Sequence, residues 1–271
     1  MRADRRTGAG GWVLRGVVVT YVVLLVAWPT GLVFKRAFQD GIDTFFSSLT
    51  SPDVQHALAL TVTVAGWAVV INLVFGVAIS LLLVRYRFPG RRILSVLIDV
   101  PLSVSPVVVG LALVLVYNAR DGWFGTTLAT WGFQVIFSTP GMIMATVFVA
   151  LPLVVREVTP VLEEIGTDQE QAARSLGAGG FQTFWRITLP GIRWAIVYGL
   201  VLAVARSIGE FGAVKIVSGN ITGQSQTATL AVEQTYQNFD HQAAYAIAAL
   251  LAFTAMLCLI VVAILRPKEQ H

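Results

Sequence analysis

Charge is scarce in this chain. Of 271 residues only 13% are charged, against 56% hydrophobic, and the mean hydropathy is +0.74. Soluble domains carry about 25% charged and about 45–50% apolar residues, so a soluble globular domain is excluded and an integral membrane protein is implied. Cysteine is scarcer still. Cys258 is the single one, which rules out an intrachain disulfide and a cysteine-rich metal site; lying in an apolar run, it reads as a small buried hydrophobe. The three lysines, Lys35, Lys215 and Lys268, never follow a glycine, so a GxxxxGK[ST] phosphate loop is absent and the chain cannot bind ATP by that device. The histidines His56, His241 and His271 are far apart with no HExxH pairing, and GxSxG is missing, leaving no catalytic constellation. Strand-like alternation is lacking, which argues against a β-barrel. Glycine clusters at 8–11 and 177–180 have no strand before them and read as turns.

What is present is a series of long apolar runs. A bilayer core of about 30 Å takes about 20 apolar residues per helical span, which gives room for several spans and no separate soluble domain. Residues 16–34 carry no charge and exceed the usual h-region of a signal peptide, so they read as a retained first span. The second span falls in 57–84. The third, 93–117, is interrupted by Asp99, Pro101 and Pro106. In the uncharged stretch 122–155, Ser138-Thr139-Pro140 supplies a cap and an N1 proline, placing the start of the fourth span there; the preceding Trp123, Trp131 and Phe133 suit an interface. The fifth opens after Pro190 and reaches about Val217, and the sixth is 242–265. Asn72 and Ser80 in the second span are expected to hydrogen-bond to another helix.

Orientation follows from arginine and lysine. With the N-terminus inside, 14 of them (Arg2, Arg5, Arg6, Arg15, Arg85, Arg87, Arg91, Arg92, Arg156, Arg174, Arg186, Arg193, Arg266 and Lys268) fall on inner segments. Four, Lys35, Arg36, Arg120 and Lys215, fall outside. The expected architecture is therefore an all-α integral membrane protein, one domain over 1–271, with six transmembrane helices and both termini cytoplasmic. The same distribution removes nucleic acid as a partner, because the positive charge is spread over inner loops.

Residues 156–193 form the longest inner segment, and connections of that length usually carry a function. Glu170-Gln171-Ala172-Ala173-Arg174-Ser175-Leu176-Gly177 reads as a short helix, capped by Asp168 and ended by Gly177 in a left-handed position. Phe181, Phe184, Trp185 and Ile187 give a second short helix an apolar face, closed by Leu189-Pro190. The string resembles the EAA loop of ABC importer permeases, E-A-A-x3-G-x9-I-x-L-P, through Ala172, Ala173, Gly177, Ile187, Leu189 and Pro190. Gln171 stands in place of the glutamate, with Glu170 beside it. Further segments, at 103–108, 122–125, 205–214 and 217–220, resemble CysW-type sulfate/thiosulfate permeases.

That resemblance implies a type I importer permease of the bacterial cytoplasmic membrane, non-catalytic itself. Its EAA loop would dock as a coupling helix on a separate ATPase subunit. It also implies a homologous second permease subunit, two ATP-binding subunits that hold the ATP and Mg, and an extracytoplasmic sulfate-binding protein; no cofactor is expected on this chain. Molybdate or tungstate import is the alternative within the class, and an ion-coupled secondary transporter the alternative outside it.

Charges at membrane depth are the remaining candidates. Arg206 lies 16 residues beyond Pro190, about 24 Å along a helix, with Glu210 at i+4 on the same face. The two read either as a bracing ion pair or as a path or gate element together with Ser207. Ser103 and Ser105, among prolines, read as path lining or as packing. Asp99 is expected to meet a basic neighbour near the inner face.

Overall fold

The computed structural model describes residues 9–265, and among them every regular element is helical. Arg2, Arg5, Arg6, Arg266, Lys268 and His271 lie outside the described residues.

The first span comprises α1 (Ala9–Val22), a π-helical turn (Val23–Ala27) and α2 (Trp28–Ala37), a continuous helix over Gly11–Ala37. After α3 (Ile42–Thr50), α4 (Pro52–Arg85) forms the second span, opened by a proline at its first position. α5 (Arg91–Ser103) and α6 (Pro106–Tyr117) follow, then the short α7 (Gly125–Thr130) and the long α8 (Thr139–Ile165), whose start coincides with the Ser138-Thr139-Pro140 signal. Next come α9 (Asp168–Ser175), α10 (Gly180–Thr183), a second π-helical turn (Phe184–Thr188) and α11 (Leu189–Ile208). α12 (Gly212–Ser218), α13 (Ala228–Gln237) and α14 (His241–Leu265) complete the chain. Among the described residues five helices are long and apolar enough to cross a membrane, and a sixth if α5 and α6 count as one span.

The interruption expected within 93–117 separates two helices: α5 and α6 meet at a bend of 114°. Pro106 disfavours helical backbone in the residue before it, and Val104 (φ −97°, ψ 138°) and Ser105 (φ −58°, ψ 133°) are both extended. The fifth span stops at Ile208 rather than near Val217. There the ladder is interrupted because the Glu210 carboxylate accepts the Ala213 N–H at 3.1 Å and starts α12. Within 156–193 the helices run longer than the sequence pattern predicts. α8 continues through Arg156 to Ile165, and one helical course runs from Gly180 to Ile208, so Leu189-Pro190 closes nothing. The π turn explains how Pro190 is accommodated: Leu189 N–H bonds back to Phe184 O, widening the helix just where the proline ring would meet an α-helical carbonyl.

α4, α8 and α11 form the centre of the bundle. A Cβ on Gly76 would lie 2.7 Å from Val154 Cγ1, and one on Gly199 3.0 Å from Val154 Cα, so both flanking helices press on Val154 with no room for a methyl group. Around this layer Val77, Val158, Leu162, Ile192 and Ile196 are buried together. A second cluster, with Leu60, Val64, Met142, Val149 and Leu230, fills the far end. The first span touches the bundle through Val33, Phe34 and Ala37 against α14, and most of its other apolar side chains are exposed, as lipid contact requires. Ser80 donates within its own helix to Gly76 O and Asn72 is buried without a partner among the described residues, so neither bridges helices as expected.

Candidate functional site

At one end of the bundle the chain from Gly166 to Gly179 projects as a knob built around α9. The sequence dictates both of its ends. Thr167, not Asp168, is the N-cap residue, and its hydroxyl accepts from Gln171 Nε2 at 2.9 Å. Asp168 and Glu170 instead supply acidic charge to the first turn, where the helix dipole favours it. At the other end Gly177 adopts φ +86°. Its N–H bonds to Arg174 O, and the Ala178 N–H to Ala173 O, both at 3.0 Å, which is the Schellman pairing that a left-handed glycine permits.

One side of α9 is anchored and the other is free. Ala173 is buried, whereas Gln171, Ala172, Arg174 and Ser175 face outward. Leu176 is 90% exposed and Phe181, opening the next helix, 79%; Ile187 and Leu189 are half-buried and Pro190 is exposed. The anchor is Glu170, one position before the glutamine of the motif. It is buried and accepts from Arg85 Nε at 3.1 Å and from the Thr188 hydroxyl at 2.9 Å. Arg85, the last residue of α4, also donates to Leu162 O (3.0 Å) and Gly166 O (2.7 Å) at the end of α8. A single guanidinium thus ties α4, α8 and α9 together, and Thr188 adds the turn before α11. Sequence reasoning counted Arg85 only among the inner-face charges.

A second set of charges lies deeper. Arg206 Nη1 is 2.7 Å from Glu210 Oε2, a close but poorly aligned approach, since that oxygen gains no directed hydrogen bond. The glutamate side chain is 2% exposed and the arginine 37%. Glu210 is also fixed through Ala213 N–H and by its carbonyl, which accepts from Thr229. Ser207 is buried, on the bundle side of α11. Ser103 and Ser105 are exposed at the α5–α6 knee. A Cβ on Gly212 would lie 3.2 Å from Pro106 Cβ, so the knee adjoins the break that carries Glu210. Asp99 has the basic neighbour expected of it: Arg156, whose Nε donates to Oδ1 at 3.0 Å. Among the described residues no group of His, Cys, Asp or Glu is placed to hold a metal.

Comparison with known proteins finds a family and individual relatives. Residues 72–268 match the family described as binding-protein-dependent transport system inner membrane component. The chain is 45% identical over 260 residues, 96% of its own length and 94% of the relative's, to the sulfate transport system permease protein CysW of Synechocystis sp.. It is 42% identical over 97% of its length and 90% of the relative's to the CysW of Escherichia coli K12. Against the CysT permease of the same bacterium the identity is 35%, covering 95% of this chain and 92% of that one. The fold is shared with a chain of a bacterial ABC transporter involved in the import of alginate, at TM-score 0.73 and 18% identity, over 94% of this chain and 93% of that one.

Proposed function

The chain belongs to the family of binding-protein-dependent transport system inner membrane components, and from that premise we propose that it is the permease subunit of an ATP-driven sulfate importer. It is a multi-pass transport subunit and not an enzyme. The substrate reading rests on near full-length similarity to sulfate permeases of two kinds. Similarity to both also supports a heteromeric pair in which this chain meets a homologous second permease.

The observation that carries the coupling mechanism is the anchored knob. Exposed Leu176 and Phe181 offer apolar surface to a groove on an ATPase subunit, while the buried Arg85–Glu170 pair joins the knob to α4 and α8. Closure of two ATP-binding subunits, which would hold ATP and Mg, would displace the two permease knobs and with them the spans; hydrolysis would return them. In this reading the knob, with Glu170 to Gly177, Ile187, Leu189 and Pro190, lies in the cytoplasm of a bacterium. Both termini do too, and an extracytoplasmic sulfate-binding protein docks at the opposite end. The path runs past Ser103, Ser105, Arg206 and Glu210.

Reconstitution of the complete complex in proteoliposomes tests this. Labelled sulfate should accumulate only with ATP on the ATPase side and binding protein on the other, with thiosulfate competing and molybdate competing less. Uptake driven by an ion gradient without the ATPase would overturn the reading, and preferential accumulation of molybdate would reassign the substrate.

A further inference from the structure

The Asp99–Arg156 pair does not fit a merely structural ion pair. Its side chains are 45% and 58% exposed, yet Arg156 stands six residues before Leu162, whose carbonyl marks the level of Arg85. That places it about 9 Å deeper along α8. A half-exposed ion pair at this depth cannot face hydrocarbon cheaply; such groups turn to water or to protein. It borders a cavity of about 170 Å³ between α4, α5 and α8, into which Ser95 and Thr159 also contribute. The Thr159 hydroxyl is buried there with no partner, a cost normally met by a ligand or water. Asp99 engages Nε of Arg156, and the two terminal guanidinium nitrogens donate to nothing among the described residues.

We propose that Arg156, with the hydroxyls of Thr159 and Ser95, is a second anion station at the knob end of the path, and that Asp99 is its displaceable counter-ion. The proposal rests on the importer reading and adds where a tetrahedral dianion pauses before release. The other station is Arg206. Gly199 and Val154 are level; Arg206 lies seven residues toward the far end and Arg156 two toward the knob, so the stations are about 13 Å apart along the bundle. Each arginine carries its own carboxylate, which weakens its hold on a dianion, but the two carboxylates differ. Glu210 is buried and fixed by Ala213 N–H. Asp99 is half-exposed and held by one bond to Arg156, so it can swing aside when the anion arrives and expel it on returning. Release toward the knob then needs no change in the arginine itself.

The test uses the complete complex in proteoliposomes, with sulfate preloaded on the ATPase side, and the variants Asp99→Asn, Arg156→Gln and Arg156→Lys. Asp99→Asn should slow uptake several-fold and make it at least several-fold more sensitive to preloaded sulfate. Arg156→Gln should slow uptake and abolish that sensitivity, and Arg156→Lys should fall between. Equal uptake and equal sensitivity in all variants would overturn the station. So would a shared loss of the second permease subunit from the purified complex, which would mark the pair as an intersubunit brace. A binding measurement keeps the two levels of argument apart: Ser95→Cys in a Cys258→Ser background, labelled by a thiol reagent from the ATPase side. Protection by sulfate or molybdate that Arg156→Gln removes supports the station even if sulfate is not transported; sulfate transport with no protection refutes it while leaving the importer reading intact.

Discussion

Arg85 and Glu170, 85 positions apart in the chain, meet at 3.1 Å in a buried ion pair that holds the projecting helix α9 against the ends of α4 and α8. Every hydrogen bond of that guanidinium goes to a different part of the same junction, so it fixes the orientation of the knob as well as its position.

Removing one partner of this pair should therefore be worse than removing both. Glu170→Ala leaves a buried guanidinium uncompensated, and breaking a buried pair in this way costs about 3–5 kcal/mol. The double variant Arg85→Met/Glu170→Leu should recover part of that loss, though Leu162 and Gly166 carbonyls then lack their donor. Glu170→Gln keeps an acceptor for Thr188 and should be the mildest. Thermal unfolding of the purified complex, with the amount of ATPase subunit retained, measures the order; equal effects of Glu170→Ala and the double variant would contradict it.

Gly177 gives a second ordering. No atom would obstruct a Cβ there, so the whole penalty is the left-handed backbone, about 1–2 kcal/mol for an ordinary residue. Asn should be tolerated best, Ala less, and Val least, because β-branching adds to the strain. Membrane insertion should be unchanged throughout, while ATPase association and sulfate uptake fall in that order. Normal uptake by Gly177→Val would show that the turn does not set the docking surface.

The exposed tip is a different kind of surface. Leu176→Asp and Phe181→Ser alter highly exposed side chains, Phe181 touching only the ring of Trp185 among aromatic neighbours, so folding stability should move by no more than about 0.5 kcal/mol. Co-purification of the ATPase subunit should drop at least tenfold. Retention of the ATPase at wild-type levels would place the docking contacts elsewhere.

The Arg206–Glu210 pair calls for a double-mutant cycle. Glu210→Ala removes both the ion-pair partner and the acceptor that starts α12, so its effect on assembled protein should exceed that of Arg206→Ala. Arg206→Ala leaves a buried carboxylate supported by one backbone N–H. If Arg206 serves the anion, the double variant should assemble better than Glu210→Ala yet stay deficient in sulfate uptake. Recovery of uptake along with assembly would reduce the arginine to a brace.

Which of these features could be read in the sequence follows from their range. Glu210 lies one helical turn from Arg206, and the Schellman end at Gly177 depends on residues within five positions; both were legible. The starts of α8 and α14 were legible too, because caps and apolar runs are local. The knee between α5 and α6 was visible only as prolines, since pattern alone does not fix a bend angle. The partners of Arg85 were hidden, and for Asp99 only a basic neighbour, not Arg156 by number, could be expected: a positive charge near a span end satisfies the topology rule whatever it touches, and the partners come from remote segments. Glu170 stands one position off its motif, and one residue is about 100° of helix, enough to turn a carboxylate from the outer surface to the buried face.

The crowding of Gly76 and Gly199 against Val154 has a mechanical consequence. Three helices that touch backbone to side chain in this layer cannot slide past one another without opening a void, so under the proposed coupling they would move as one stiff body pivoting near it. From Val154 to Thr139 is 15 residues, about 22 Å of helix. A tilt of about 10° imposed at the Arg85 junction therefore swings the opposite rim by roughly 4 Å, more than the width of a water molecule. Under the coupling proposed above, leverage rather than a change of shape within the spans would convert a small displacement of α9 into an aperture at the other end.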